Sequence, residues 1–207
     1  MTLEVQELRP GLWRWTAPHP EWQEGDPWAE HVGCVYAETA DALVIVDPLV
    51  PIDEADAARF REALDGDVKR LALPVLVALT VHWHERSSAE LAARYGGQLW
   101  RPEEERAPLP AGVEADIVHG SDWKEAALWL EPYRALVIGD LMVGEGGSVR
   151  IPYEWFPEAE QEWARTELRA QLTRRLLAHP VELVLVAHGE PVLENGRAAL
   201  ERALAEA

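Results

Sequence analysis

His82-Trp83-His84-Glu85-Arg86-Ser87 follows the apolar run Leu73–Leu79, and this junction decides how the chain is read. A run so uniformly apolar reads as a strand buried on both faces, the position of a central strand in a layered α/β sheet. Two imidazoles at spacing two, just past the end of such a strand, can be aimed at one metal ion. If they point into a cleft, the alternating Trp83 and Glu85 point away or line its other side. The next positions break the pattern, because Arg86 is a permanent cation and Ser87 offers only a hydroxyl.

Upstream, Leu3–Leu8 and Leu12–Thr16 read as short strands around the turn Arg9-Pro10-Gly11. Val32–Glu38 and Ala42–Val46 form the next strand pair. Pro51 to Glu54 opens a helix with an acidic first turn, whose buried face is marked by Ala57, Phe60 and Leu64. Downstream, Ser87–Tyr95 reads as a helix, with Ser87 and Glu90 as a capping box and Gly96-Gly97 as its end. Gln98–Arg101, Glu114–Val118, Glu125–Leu130, Ala135–Ile138 and Glu182–Ala187 are strands. Gly144 to Gly147 is a loop, Pro157–Ala178 a long helix with Ala164, Leu168, Leu172 and Leu176 at spacing four, and Asn195–Ala207 a closing helix. A meander followed by strands alternating with helices predicts a layered α/β domain.

Four apolar strands each place a polar group just past their C-terminal end: Asp47, then His82 and His84, then Asp140, then His188. Open α/β sheets gather ligands and catalytic groups at those ends. Neutral imidazole and carboxylate suit zinc, iron or manganese.

This order of an Asp-Pro after a strand, T-x-H-x-H, a distal Gly-Asp and a His-Gly before the last helix resembles the metallo-β-lactamase fold superfamily. The resemblance runs from about Leu3 to the C-terminal helix. It implies a four-layer αββα sandwich over residues 1–207 as a single domain. It also implies that His82 and His84 match the first histidine pair, Asp140 the aspartate that bridges two metals, and His188 the final histidine. Asp47 matches an aspartate that supports the site. Relatives typically continue H-x-H-x-D-H, where this chain has Arg86 and Ser87. Ser121, in Gly120-Ser121-Asp122, stands where the third histidine belongs. His82, His84, Asp140 and His188 remain, enough for one ion.

The surrounding residues have plainer readings beside these. Arg86 opposes a second divalent cation, and either holds Asp140 or a substrate anion in a bidentate contact or turns to solvent. Ser87 reads as a helix cap. His119, Asp122 and Glu125 are candidate substitute ligands or ordinary strand and capping residues. His19 and His31 either line the pocket or belong to packing or surface, His179 belongs to a helix end, and Cys34, the only cysteine, to the core. Arg150 to Pro157 carries aromatics that either wall a pocket or anchor the next helix.

Composition sets the outer bounds. The chain has 207 residues, of which 48% are hydrophobic, enough for a full core. With 37 acidic and 19 basic residues the formal charge is −18, a field that disfavours nucleic acid. No apolar stretch is long enough to span a bilayer, and MTLEVQELRPGLW lacks the pattern of a signal peptide. A cytoplasmic location is the expectation. Ten tryptophans supply packing area, and those outside core strands make a homodimer reasonable.

The expected function is metal-dependent hydrolysis of a small ester, thioester, lactone or phosphoester at one divalent ion, zinc first, with iron or manganese as alternatives. His82, His84 and His188 would hold the ion. Asp140 would bind it or take the proton of water, and Arg86 would hold an anionic group. The rival is an inactive descendant without metal, which binds a small ligand or serves as an interaction module. A third possibility is oxygen chemistry at a single iron held by two histidines and a carboxylate.

Overall fold

The computed structural model describes residues 3–104 and 106–205. Six strands form the first sheet in the order β1 to β6: β1 (Glu4–Arg9), β2 (Leu12–Pro18), β3 (His31–Glu38), β4 (Leu43–Val46), β5 (Val75–Ala78) and β6 (Gln98–Trp100). β1 to β4 run antiparallel in sequence order, whereas β4, β5 and β6 are parallel. The parallel strands need crossovers, which α1 (Glu54–Leu71) and α2 (Ser88–Tyr95) supply. Asp53 caps α1, its carboxylate accepting from the amides of Ala55 and Asp56.

The second sheet contains β7 (Val113–His119), β8 (Lys124–Leu130), β9 (Ala135–Ile138) and β12 (Leu183–Val186), in the order β12-β9-β8-β7. A hairpin of β10 (Val143–Glu145) and β11 (Ser148–Arg150) stands apart. α3 (Glu158–Trp163) runs through a π-helical turn, Ala164–Leu168, into α4 (Arg169–Leu176), and α5 (Gly196–Ala205) closes the described chain.

Side-chain alternation builds four layers. Val44, Val46, Leu76 and Ala78 face inward against Leu128, Leu130, Val137 and Leu185 of the second sheet. Their neighbours Leu43, Ile45, Val75 and Val77 face outward and pack with Ala57 and Leu64 of α1 and Leu91 of α2. On the far side Trp129, Leu136, Ile138 and Val184 pack with Leu168, Leu172 and Leu176 and with Leu200 of α5. The expected αββα sandwich is therefore present.

Where the two sheets meet, backbone bonds join them. Gly33 N donates to Ala187 O (2.7 Å) and Ala126 N to Thr80 O (2.7 Å). Gly189 and Gly144 pack backbone to backbone, and a Cβ on either would overlap the other segment. This seam gathers the C-terminal ends of β4, β5, β9 and β12.

The local differences from the sequence reading have identifiable causes. Gly146 and Gly147, both at positive φ, form the turn of the β10–β11 hairpin where only a loop was expected. The expected long helix 157–178 is broken by its π turn and ends at Leu176. Ser87 does not cap α2 with its side chain; its Oγ accepts from Val50 N (2.9 Å) and ties α2 to the segment after β4. The last two residues of the expected closing helix lie outside the described residues.

Candidate metal centre

The site starts at the turn after β5. Residues His82–His84 form one 3-10 turn rather than an extension of the strand. At three residues per turn, side chains two apart diverge by about 120° instead of sharing a face. His84 points inward and is buried. His82 points outward, stacks edge-on against Trp83 with centroids 4.7 Å apart, and lies 3.6 Å from Glu103. Trp83, expected on the other side, reaches the cleft, where its Nε1 donates to Asp140 Oδ2 (2.7 Å). The expectation that both histidines aim at one point thus fails in this geometry, because it assumed strand periodicity.

His84, Asp140 and His188 come together, each offering a ligand atom within 4.8 Å of the others. His84 Nε2 lies 3.3 Å and His188 Nε2 3.2 Å from Asp140 Oδ1. Neither approach has hydrogen-bond geometry, so Oδ1 is buried without a bonded partner, as is His188 Nδ1. The His188 ring is wedged between Trp28 (5.2 Å) and Trp155 (5.3 Å), both edge-on.

Asp47 sets the orientation of His84. Its Oδ2 accepts from His84 Nδ1 (2.9 Å), and its Oδ1 accepts from Thr80 N (2.8 Å). Asp47 adopts a left-handed backbone, φ 46°, at which aspartate is one of the better-tolerated residues. A carboxylate behind a ligating imidazole fixes the ring and its tautomer, leaving Nε2 to face the centre. Gly139 is small for a related reason: a Cβ there would press on Thr80 Oγ1 (2.4 Å) and Glu125 Oε1 (2.8 Å).

The charges are arranged accordingly. Burial pushes the His84 imidazolium down, but Asp140 and Asp47 outweigh it against Arg86 and raise the pKa to about 9. Burial raises Asp140, and the two imidazoles override that and hold it well below the usual carboxylate range. Glu125, buried at the start of β8, is pushed well above its ordinary value by desolvation and by the Asp140 charge. Its Oε1 accepts from Leu141 N (3.0 Å). The sequence signal for it was a carboxylate inside an otherwise apolar strand.

Arg86 lies beside the centre, half-buried, at a left-handed φ of 39°. One guanidinium nitrogen donates to Asp47 O (3.1 Å), while Nε is buried and unpartnered. Among the described residues no ion pair joins it to Asp140. Its charge depresses the affinity of His84 and His19 for protons. Ser121 is not at the centre; its Oγ lies 2.7 Å from Glu160 Oε1 and 3.2 Å from Asp122 Oδ1. His119 is exposed at the end of β7, and His179 pairs with Asp116 (2.7 Å) and stacks on Trp129. Cys34 is buried and its Sγ accepts from Leu49 N.

A cleft of about 250 Å³ opens onto Asp140 and Glu125. Trp155 and Phe156, from the aromatic stretch singled out in the sequence, line it together with Trp83 and Trp123. The pocket reading of that stretch therefore holds, although Phe156 also packs with Trp163 of α3.

Two imidazoles and one carboxylate form the donor set of catalytic zinc sites and of mononuclear iron sites, with positions left for water or substrate. The buried, unbonded Asp140 Oδ1 facing two Nε2 atoms is a place where a cation fits.

No family sequence profile and no curated protein sequence matches the chain. Solved structures do match across almost all of it. DIM-1 metallo-β-lactamase exposed to ceftazidime is 14% identical with a TM-score of 0.57, covering 98% of both chains. FIM-1 from Pseudomonas aeruginosa, in a mono-zinc form, is 12% identical with a TM-score of 0.57, covering 100% of this chain and 98% of that one. The NDM/FIM-1-like enzyme from Erythrobacter litoralis, also mono-zinc, is 14% identical with a TM-score of 0.58, covering 98% and 94%. Together with the layered architecture and the strand-end cluster, these likenesses show that the chain has the metallo-β-lactamase fold, in a divergent form.

Proposed function

We propose that the protein is a hydrolase that works with a single divalent metal ion, zinc first, held by His84, Asp140 and His188. The observation that carries this reading is the convergence of those three ligand atoms, backed by the Asp47–His84 bond. When bound, such an ion supplies Lewis acidity, making water acidic enough to give a nucleophile near neutral pH and polarising an acyl or phosphoryl oxygen. The chain supplies the rest. Asp47 holds the His84 ring in place. Trp83 Nε1 donates to Asp140 Oδ2 and fixes the carboxylate, which would help hold the ion or take a proton from water. Burial and the Asp140 charge favour the protonated form of Glu125 beside the centre. The cleft beside Asp140 takes a small ester, thioester, lactone or phosphoester. Mono-zinc forms exist among structures of the same fold, which supports a one-ion reading. Arg86 supports it too, since a fixed cation beside the centre opposes a second ion.

One observation favours the rival, a metal-free descendant: His84 as imidazolium already sits between the Asp47 and Asp140 carboxylates. Metal analysis of protein purified without chelator, followed by titration with zinc, manganese and iron, separates the two. Close to one equivalent bound is the expected result. Less than a tenth of an equivalent, with no uptake on addition, would sink the hydrolase reading.

A further inference from the structure

The cleft beside Asp140 has a chemistry that the metal reading does not use. Its aromatic wall consists of Trp83, Trp123, Trp155 and Phe156, with the Trp123 and Phe156 rings 6.3 Å apart and tilted by 44°. Trp83, which lines this cleft, is 48% exposed. The polar lining is all carboxylate: Asp122, Glu125, Asp140 and Glu160. Among the described residues, the lining side chains include no lysine, arginine or histidine.

These carboxylates do not act alike. Burial and the Asp140 charge raise the affinity of Glu125 for its proton. Asp140 is balanced by the imidazoles against it. Asp122 and Glu160 share the Ser121 hydroxyl, whose Oγ lies 3.2 Å from Asp122 Oδ1 and 2.7 Å from Glu160 Oε1. Ser121, at the position where relatives place a third histidine, thus sits beside the acidic end of the cleft.

We infer that this cleft selects a compact organic cation, a quaternary or protonated ammonium group, through its indole and phenyl rings and the Asp122–Glu160 pair. Aromatic side chains attract a cation through the negative face of the ring, most strongly for tryptophan. Carboxylates lining the cleft add attraction and repel an anion. A volume of about 250 Å³ accommodates a trimethylammonium group with a short chain. The formal charge of −18 further enriches cations around the molecule. As a statement of substrate class this rests on the hydrolase reading and means an ester or related acyl compound bearing an ammonium group. As a statement of recognition it does not require the ion.

The test uses choline, its uncharged isostere 3,3-dimethylbutan-1-ol, and the anion 3,3-dimethylbutyrate. Binding of each to the full chain is followed by saturation-transfer NMR of the methyl signals, first with chelator and then with zinc. Choline is expected to bind about tenfold or more tighter than the isostere, and the anion not to compete. Glu160→Gln and Asp122→Asn, which each remove one charge of the acidic pair and keep the side-chain shape, are each expected to weaken choline several-fold while leaving the isostere and the melting temperature nearly unchanged. Equal binding of choline and isostere, tighter binding of the anion, or no saturable choline binding overturns the inference. Choline preference without zinc uptake would leave the cation cleft standing and remove the hydrolase reading; zinc uptake without choline preference would do the reverse.

Discussion

The turn His82–Ser87 and the strand ends at Asp140 and His188 contribute to the same centre in different ways. Asp140 and His188 follow β9 and β12, two adjacent parallel strands in register through Val186 and Ile138. Their places are set by the sheet. The turn after β5 leaves the sheet at once and coils into a 3-10 helix. Of its polar residues, His84 enters the centre, His82 faces Glu103, Arg86 bonds a backbone carbonyl and Ser87 ties down Val50. Regular strands carry residue spacing faithfully into space, whereas a short turn redistributes it.

The sharpest way to break this comparison is to remove a group at the strand ends. Asp140→Asn or His188→Ala is expected to weaken zinc binding by more than about 100-fold, beyond the roughly 10–100-fold typical of losing a supporting partner. Competition against a chromophoric chelator measures it. Asp47→Asn comes next: losing the carboxylate behind His84 should lower zinc affinity by about 10–100-fold without removing a ligand. If Asp47→Asn costs as much as Asp140→Asn, Asp47 is itself a ligand and the assignment is wrong.

Proton competition is smaller and graded. In the metal-free protein His84 holds its proton up to about pH 9, against an ordinary value of 6.5. Zinc must displace that proton, so affinity should rise by about tenfold per pH unit from 6.5 towards 9 and flatten above it. Stability moves the other way. The raised His84 pKa stabilises the metal-free fold fully below pH 6.5, and the contribution is lost as pH rises through 9. Thermal melts of metal-free and zinc-loaded protein across this range should therefore diverge. The smallest effect is expected from His82→Ala, less than about twofold in zinc affinity, because an exposed imidazole 3.6 Å from one carboxylate contributes little. A loss comparable to that of His188→Ala would show that His82 swings inward when metal binds.

Much of the fold was legible in the residues. The buried runs at β4, β5, β9 and β12 announced themselves by uniform apolarity, and the outward and inward faces of β4 and β5 follow from simple alternation. The polar groups past those strands were legible for the same reason. The roles of Ser87 and Trp83 were not. A serine before a helix reads as a cap, yet its hydroxyl serves Val50, a residue 37 positions away. Strand alternation puts Trp83 away from the cleft or on its other side, and the 3-10 turn carries its indole to Asp140. Glu125 is marked by its place in an otherwise apolar strand, whereas Glu160 owes its place in the cleft to how α3 packs around it, which no local pattern encodes.

The sequence by itself determined the layered α/β architecture and the presence of carboxylate and imidazole at the ends of its central strands. Those properties depend on periodicity and on the cost of burying backbone and charge, and both are local. Only the tertiary structure decided which histidine of the pair faces Asp140, where Arg86 directs its charge, and that the cleft beside the centre is walled by indoles and carboxylates. These depend on the dihedral angles of one short turn and on the closing of two sheets along a seam, where atoms far apart in the chain come within bonding distance.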